Sequence, residues 1–110
     1  MNTFFSTGSK RSYTDFKKQI PLQIQSLFDS LREFCLSIGD NVVEDVRMHR
    51  IVFCKSITFR WFVDIEPEND SVLLKIQKSR KESPKSIRIK PDENLEQVKL
   101  ILKEAFDTIR

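Results

Sequence analysis

The longest β-type stretch of this chain covers residues 57–67 (ITFRWFVDIEP), and it limits what the remaining residues can fold into. It is rich in β-branched and aromatic residues, which is typical of a strand at the centre of a sheet. Regular alternation places every second side chain on the same face of such a strand. The predicted core face carries Ile57, Phe59, Trp61, Val63 and Ile65, and the opposite face carries Thr58, Arg60, Phe62, Asp64 and Glu66.

Helical patterns lie on both sides of this strand in the chain. Apolar residues recur at every third or fourth position over residues 22–38 and again over residues 95–109, which predicts an amphipathic helix in each segment. Gly39 directly follows the first helix, as is common where a helix ends, and Asp92 or Asn94 is expected to cap the second. Shorter apolar or alternating runs predict further strands at 42–48, 51–54, 72–76 and 87–89.

The connections between these strands are short, which favours an antiparallel meander because parallel pairs need a long crossover. The sequence therefore predicts an α+β fold. It is a two-layer sandwich in which an antiparallel meander of four to five strands lies between an N-terminal and a C-terminal helix, both packed on one face. Residues 1–12 lack a sustained pattern and are expected to form a flexible arm, so that residues 13–110 make a single domain.

The composition indicates where the protein is located and in which state its two cysteines are. No run approaches the roughly 18 to 20 apolar residues of a membrane span, and the N-terminus lacks the apolar segment of a signal peptide. We therefore expect a cytoplasmic protein without a membrane partner. Cys35 and Cys54 have no short spacing to each other or to a histidine cluster, which predicts buried free thiols. A reactive cysteine is the alternative, and it would depend on His49, the only histidine.

Common catalytic patterns are missing from the sequence. The chain has only two glycines, too few for a phosphate-binding loop, and HExxH, CxxC, GxSxG and EF-hand patterns are absent. We predict no enzyme, no cofactor and no metal. A degenerate nuclease-like site is the remote alternative, with Asp64, Glu66 and Lys75 on adjoining strands. Leu73 stands where a second acid would be needed, so these residues are more simply interpreted as cross-strand charge pairs.

Positive charge is concentrated late in the chain. Residues 71–90 contain seven cations and one carboxylate, although the net charge of the whole chain is only +3. Such a surface fits nucleic-acid phosphates, and an aromatic such as Phe62 beside Arg60 would give bases a stacking surface. A solvated loop that protects a sheet edge is the simpler interpretation, and an acidic protein surface is a third one. The predicted phosphate-binding residues are Arg60, Lys75, Lys78, Arg80, Lys81, Lys85 and Arg88.

An apolar patch is predicted on the sheet face away from the helices. Val52, Phe62 and Leu73, together with Cys54, would form it. Patches of this kind often mark an interface, so a docking partner or a homodimer is one interpretation. The other is that the N-terminal region covers the patch with its aromatic side chains, which are Phe4, Phe5, Tyr13 and Phe16.

Hydrophobic patterns across residues 20–109 resemble those of a small prokaryotic domain of unknown function. They lie in residues 21–34 (PLQIQSLFDSLREF), 43–53 (VEDVRMHRIVF), 62–67 (FVDIEP), 72–76 (VLLKI) and 95–107 (LEQVKLILKEAFD). That family occurs alone or fused behind nuclease-type domains, and some members are labelled predicted transport proteins. The resemblance implies a role beside enzymes of DNA or RNA, and it assigns no catalytic residue. This chain departs from the family at residues 79–86, where a glycine-and-histidine segment is missing.

Residues and resemblance together predict a non-enzymatic accessory or binding domain. Its expected partner is nucleic acid or a nucleic-acid-processing protein, contacted through the basic strand and loop region. A protein-docking or homodimerisation domain that uses the sheet face is the alternative.

Overall fold

The computed structural model describes residues 11–57, 60–79 and 81–109, and it contains one five-stranded antiparallel sheet of order β1-β2-β3-β4-β5. The strands are β1 (Val43–Val46), β2 (Ile51–Cys54), β3 (Trp61–Pro67), β4 (Val72–Ile76) and β5 (Lys85–Ile89). The helices are α1 (Tyr13–Lys17), α2 (Gln25–Ser37) and α3 (Glu96–Thr108), and a 3-10 turn (Leu22–Ile24) leads into α2. The predicted α+β architecture is confirmed.

Tight turns explain why each strand pairs with the next one in the chain. Between β1 and β2 the amide of Arg47 donates to the carbonyl of Arg50 at 2.8 Å, and between β3 and β4 the amide of Glu68 donates to the carbonyl of Ser71 at 2.9 Å. The hydroxyl of Ser71 also donates to the carboxylate of Glu68 at 2.8 Å. Turns this short leave no room for a crossover, so the sheet is a meander.

Helices α2 and α3 pack on the same side of the sheet, which we call the covered face. Each helix presents one apolar stripe, and both stripes belong to a single hydrophobic core. Full burial of an aliphatic or aromatic side chain is worth about 1.5–3 kcal/mol, which is enough for these stripes to dock the helices. The strands contribute Ile51, Phe53, Val63, Ile65, Val72, Leu74, Ile76 and Ile89 to this core.

The opposite side of the sheet, which we call the outer face, is more polar. Its residues follow from the register of the strand pairs, since directly paired residues share a face. The outer face carries Asp45, Val52, Cys54, Trp61, Asp64, Glu66, Leu73, Lys75, Ser86 and Arg88.

A β-bulge at the start of β3 reverses two predicted side-chain directions. The β2–β3 register shifts at Cys54, which pairs with Trp61, so that Phe62 is an extra residue in β3. Phe62 is completely buried in the core, and its ring meets the ring of Phe106 edge-on at a centroid distance of 5.3 Å. Trp61 shares the outer face with Cys54 and is half-buried. The predicted directions of both aromatics were wrong, because simple alternation assumes an unbroken register.

Strand β3 is also shorter at its start than the sequence predicts. The amide of Lys55 donates to the carbonyl of Arg60 at 2.8 Å and closes the β2–β3 turn. This turn contains Ile57, which is 77% exposed, so its predicted place in the core was wrong. Phe59, predicted for the same core, lies outside the described residues.

Helix α1 packs against α2 and not against the outer face. Its residue Phe16 is buried, and the rings of Tyr13 and Phe16 lie 6.2 and 5.8 Å from the ring of Phe28 in α2. The alternative that Tyr13 and Phe16 cover the outer face was therefore wrong. Phe4 and Phe5 lie outside the described residues, as do residues 1–10 of the predicted arm.

Half-buried polar groups join α1, α2 and β1. The hydroxyl of Tyr13 donates to Asp29 at 2.5 Å, and the ammonium of Lys17 donates to the same carboxylate at 2.7 Å. Arg32 lies over the Tyr13 ring, 4.1 Å from its centroid, and donates twice to Glu44 at 2.5 and 3.1 Å. Burial, reinforced by the bond to Asp29, raises the pKa of the Tyr13 hydroxyl well above its ordinary value.

Tyr13 is the only tyrosine in the chain, so tyrosinate absorbance measures its ionisation directly. The folded protein has the higher pKa, so this group stabilises the fold fully below the ordinary pKa of about 10 and progressively less above it. We expect tyrosinate to appear only together with alkaline unfolding, followed in parallel by circular dichroism. The Tyr13→Phe variant has no hydroxyl to ionise, so its free energy of unfolding should fall less than that of the parent as the pH rises above about 10. A folded protein that ionises near pH 10 would contradict the prediction.

Gly39 is needed for a close contact between the end of α2 and α3. Its backbone does not occupy the left-handed region, but a Cβ at this position would lie only 2.6 Å from Cζ of Phe106. That ring is itself held against Phe62. An added methyl group therefore displaces an aromatic contact of the core.

We expect Gly39→Ala to lower the free energy of unfolding by about 1–3 kcal/mol, the usual cost of overpacking. Urea unfolding measures this change. The double variant Gly39→Ala, Phe106→Leu is the control, and it should lose less stability than the sum of the two single variants because the smaller side chain makes room. An unchanged unfolding midpoint for Gly39→Ala would show that the ring moves away freely.

Candidate functional site

Two of the predicted phosphate-binding cations are held by carboxylates of the protein. Nζ of Lys78 lies 3.1 Å from the carboxylate of Glu104 in α3. Arg88 donates twice to Glu68 at 2.7 and 3.1 Å, in the two-point geometry that guanidinium groups favour. Arg80 lies outside the described residues. Lys78 and Arg88 are thus less available to an added anion than the sequence suggested.

Three other predicted cations, Lys75, Lys81 and Lys85, are exposed and have no ion pair among the described residues. Lys75 lies on the outer face of β4 and pairs with Ser86 of β5, the neighbour of Lys85. Lys81 lies in the β4–β5 loop, where its amide donates to the hydroxyl of Ser79 at 3.0 Å. Lys85 pairs with the buried Ile76 and so belongs to the covered face of β5, whereas Lys75 is on the outer face. The three lysines lie at the same end of the β4–β5 hairpin but not on one face of it. We call Lys75, Lys81 and Lys85 the basic edge.

Arg60 does not belong to the basic edge. It lines a cleft of about 520 Å³ beside the end of α3, together with Lys55 and Phe106, whereas Lys75 lies on the outer face. Lys55 donates to the carbonyl of Ile109 at 3.1 Å and lies 5.0 Å from the Phe106 ring centroid. Two cations and two carboxylates line the cleft, so its formal charge is balanced.

The predicted apolar interface keeps two of its three members. Val52 is on the outer face but only 4% exposed. Leu73 is half-buried and pairs with a charged residue on each neighbouring strand. Phe62 is in the core, and Trp61 occupies the outer face in its place. The structure therefore keeps the two aliphatic residues of the predicted interface, with Val52 almost fully covered, and has Trp61 in place of Phe62.

Asp64 is a partly buried acid of the outer face whose pKa is shifted. It pairs directly with Lys75, and its Oδ2 lies 3.0 Å from Nε of Arg50, although the Arg50 N–H makes no aligned hydrogen bond to the described residues. Burial raises the pKa of Asp64, and the nearby charges of Arg50 and Lys75 oppose that effect. Glu66 pairs with Leu73, the position where a nuclease-like site would need its second acid.

The acids and the two cysteines can also be compared with the requirements of a metal site and of a reactive thiol. The described residues include no group of three or more histidine, cysteine, aspartate or glutamate side chains placed to hold a metal ion. Cys35 and Cys54 are free and buried, as predicted. Burial raises the pKa of both thiols, which keeps them in the less nucleophilic protonated form.

The sequence did not predict that Trp61 lies on the outer face. It also did not predict the ion pairs that Lys78 and Arg88 form with Glu104 and Glu68. The bulge that exposes Trp61 contains no glycine or proline that would have marked it. Glu68 and Arg88 are 20 positions apart, and only the β4–β5 register and the β3–β4 turn bring them together. Their opposite charges were visible in the sequence, but their contact was not.

Comparisons with known proteins leave the chain without an assigned family. No protein-family model, no curated protein and no solved structure matched it. The resemblance to a domain of unknown function therefore stays a prediction. In the part of the chain that the structure describes, none of the helices is long and apolar enough to cross a membrane.

We expect Asp64 and Glu68 to titrate far apart. Hydrogen bonds from Arg88 and then Ser71 lower the pKa of Glu68 to about 2, whereas burial raises that of Asp64. The Glu68 ion pair therefore stabilises the fold above the ordinary glutamate pKa of about 4.3 and loses this effect as the pH falls toward the lowered value. Asp64 has the opposite sign, since its raised pKa favours the fold at acid pH.

Carboxyl-carbon NMR of the folded protein measures both transitions. The control is Arg88→Gln, which should return Glu68 toward its ordinary range and leave Asp64 unchanged. Simultaneous titration of the two carboxyl groups in the parent protein would contradict the described contacts.

Proposed function

We propose that this domain is a non-enzymatic binding module that contacts the phosphates of nucleic acid through the basic edge. The observation that carries the proposal is the exposure of Lys75, Lys81 and Lys85 at one end of the β4–β5 hairpin, without ion pairs among the described residues. A cytoplasmic location, predicted from the sequence, is part of the proposal.

Availability separates the basic edge from the lysines of the domain that are ion-paired. An ammonium group already beside a carboxylate gains little from a phosphate, because the phosphate must first displace that partner. Lys17, Lys78 and Lys103 lie 2.7, 3.1 and 2.8 Å from carboxylates. Lys81 and Lys85 have no ion pair with a carboxylate of the described residues, and Lys75 has none either, although it stands opposite Asp64 in the β3–β4 pair. Each of the three could release a counterion from a phosphate chain on binding.

The contacts available at the basic edge favour affinity without sequence readout. Lysine side chains on a strand and a loop can meet phosphate oxygens, which position a nucleic acid but carry no base information. Arg88 lies beside the edge on the outer face and can add a weaker contribution while it remains bonded to Glu68.

A protein-docking or homodimerisation domain is the second candidate. Leu73, half-buried on the outer face, favours it. The loss of Phe62 to the core removes the largest apolar residue of the predicted interface, and Val52 is almost fully covered. We therefore place nucleic acid first. Sedimentation of the free protein tests the dimer, which should persist at high salt if it is apolar.

The double charge reversal Lys81→Glu, Lys85→Glu tests the proposal. We expect the parent to bind short labelled oligonucleotides more tightly at about 50 mM than at about 200 mM salt, and the variant to bind far more weakly at the lower salt. Loss of two phosphate contacts should also reduce the slope of log affinity against log salt by about 1.4 for single strands. Fluorescence anisotropy provides both values.

The matched control is Arg11→Glu, Lys18→Glu, which changes the net charge equally through two exposed residues of the helix layer. It should retain most of the affinity. Equal losses in both variants would point to net charge alone, and undiminished binding by the Lys81, Lys85 variant would show that the basic edge is the wrong surface.

A further inference from the structure

The β-bulge places the indole of Trp61 on the outer face, where no aromatic ring of the described residues contacts it. Trp61 pairs with Cys54, is half-buried, and is the only tryptophan in the chain. Its ring makes no stacking or cation–π contact with the described residues. Phe62, by contrast, is engaged by Phe106 in the core. Trp61 is therefore a partly exposed aromatic residue on which no described residue stacks.

Strand register places Trp61 near the basic edge. Val63 pairs with Ile76, and the amide of Gln77 donates to the carbonyl of Phe62 at 2.9 Å, which extends the alignment by one residue. Trp61 therefore lies level with the start of the β4–β5 loop. At about 3.3 Å per residue and about 4.8 Å between strands, its Cα is about 11 Å from that of Lys75, within reach of one short oligonucleotide.

The charges between Trp61 and the basic edge do not prevent an anion from approaching. Asp64 is the nearest acid of the outer face by register, and it lies between Arg50 and Lys75. Glu66 lies near the far end of β3, and Glu68 follows that strand in the next turn. Both are therefore toward the end of the sheet opposite Trp61. Between Trp61 and Lys75 on the outer face, the charge of Asp64 is thus offset by Arg50 and Lys75.

We propose that Trp61 is a base-stacking residue, and that the module consequently prefers single-stranded nucleic acid to duplex. This inference rests on the proposed function, because the basic edge must hold the phosphates. A base offers its flat face to a side chain only when it is unstacked from its neighbours, as in single strands. Stacking on an aromatic residue accepts any base, which agrees with phosphate contacts that read no sequence.

The lone tryptophan makes the test direct. We expect a single-stranded oligonucleotide to quench the fluorescence of Trp61 as it binds at about 50 mM salt. An abasic strand of the same length should bind the basic edge without this quenching, because it keeps phosphates and lacks bases. Labelled oligonucleotides in an anisotropy assay then compare single strand with duplex.

Substitutions of Trp61 test whether a base stacks on its ring or only lies near it. Trp61→Leu should weaken single-strand binding about 5- to 100-fold, which follows from the usual worth of one stacked base, while duplex binding stays unchanged. Trp61→Phe should retain most of the affinity, since it keeps an aromatic face. Leu73→Ala, on the same outer face, is the matched control and should bind like the parent. Circular dichroism confirms that the variants are folded.

The outcomes distinguish the two proposals. Unchanged Trp61 fluorescence on binding, or equal affinity for single strand and duplex in the parent, overturns the stacking inference and leaves phosphate binding in place. The same holds if folded Trp61→Leu binds single strands as tightly as the parent. If no oligonucleotide binds at about 50 mM salt, the proposed function fails and the inference fails with it.

Discussion

The edge-on contact between Phe62 and Phe106 determines how the two layers of this protein meet. It joins β3 to α3 at a centroid distance of 5.3 Å, and Gly39 at the end of α2 lies against the same ring. The contact requires Phe62 on the covered face, and the β-bulge opposite Cys54 supplies that direction. One irregular pair therefore affects the core, the helix junction and the outer face together.

The same irregularity decides the character of the outer face. An unbroken register would have buried Trp61 and left Phe62 outside, but the bulge exchanges them. Trp61 then lies at the end of the sheet where the β4–β5 loop begins, on the same face as Lys75. The proposed ligand surface is therefore a consequence of how the core packs, and it does not require a separate structural element.

Cations that look alike in the sequence differ in the structure, because some of them form ion pairs with carboxylates. Lys78 and Lys81 are three residues apart, yet one lies against Glu104 of α3 and the other is exposed in a loop. Arg88 is similarly held by Glu68 from the turn after β3. A phosphate competes with these acids at Lys78 and Arg88, whereas none of the described residues forms an ion pair with Lys81. The number of effective contacts is therefore smaller than the number of positive residues. The number of positive residues in the sequence therefore overestimates how many of them are available to bind a phosphate.

Local sequence patterns determined the architecture of this protein. The apolar stripes of α2 and α3, the alternation in β4 and the short turns require only neighbouring residues, and each predicted element was found. At the start of α3 the side chain of Asn94, one of the two predicted capping residues, accepts from the amide of Glu96 at 2.7 Å. Tertiary structure alone decided which face Trp61 occupies and which of the cations form ion pairs, because a bulge and an ion pair depend on residues that are distant in the chain.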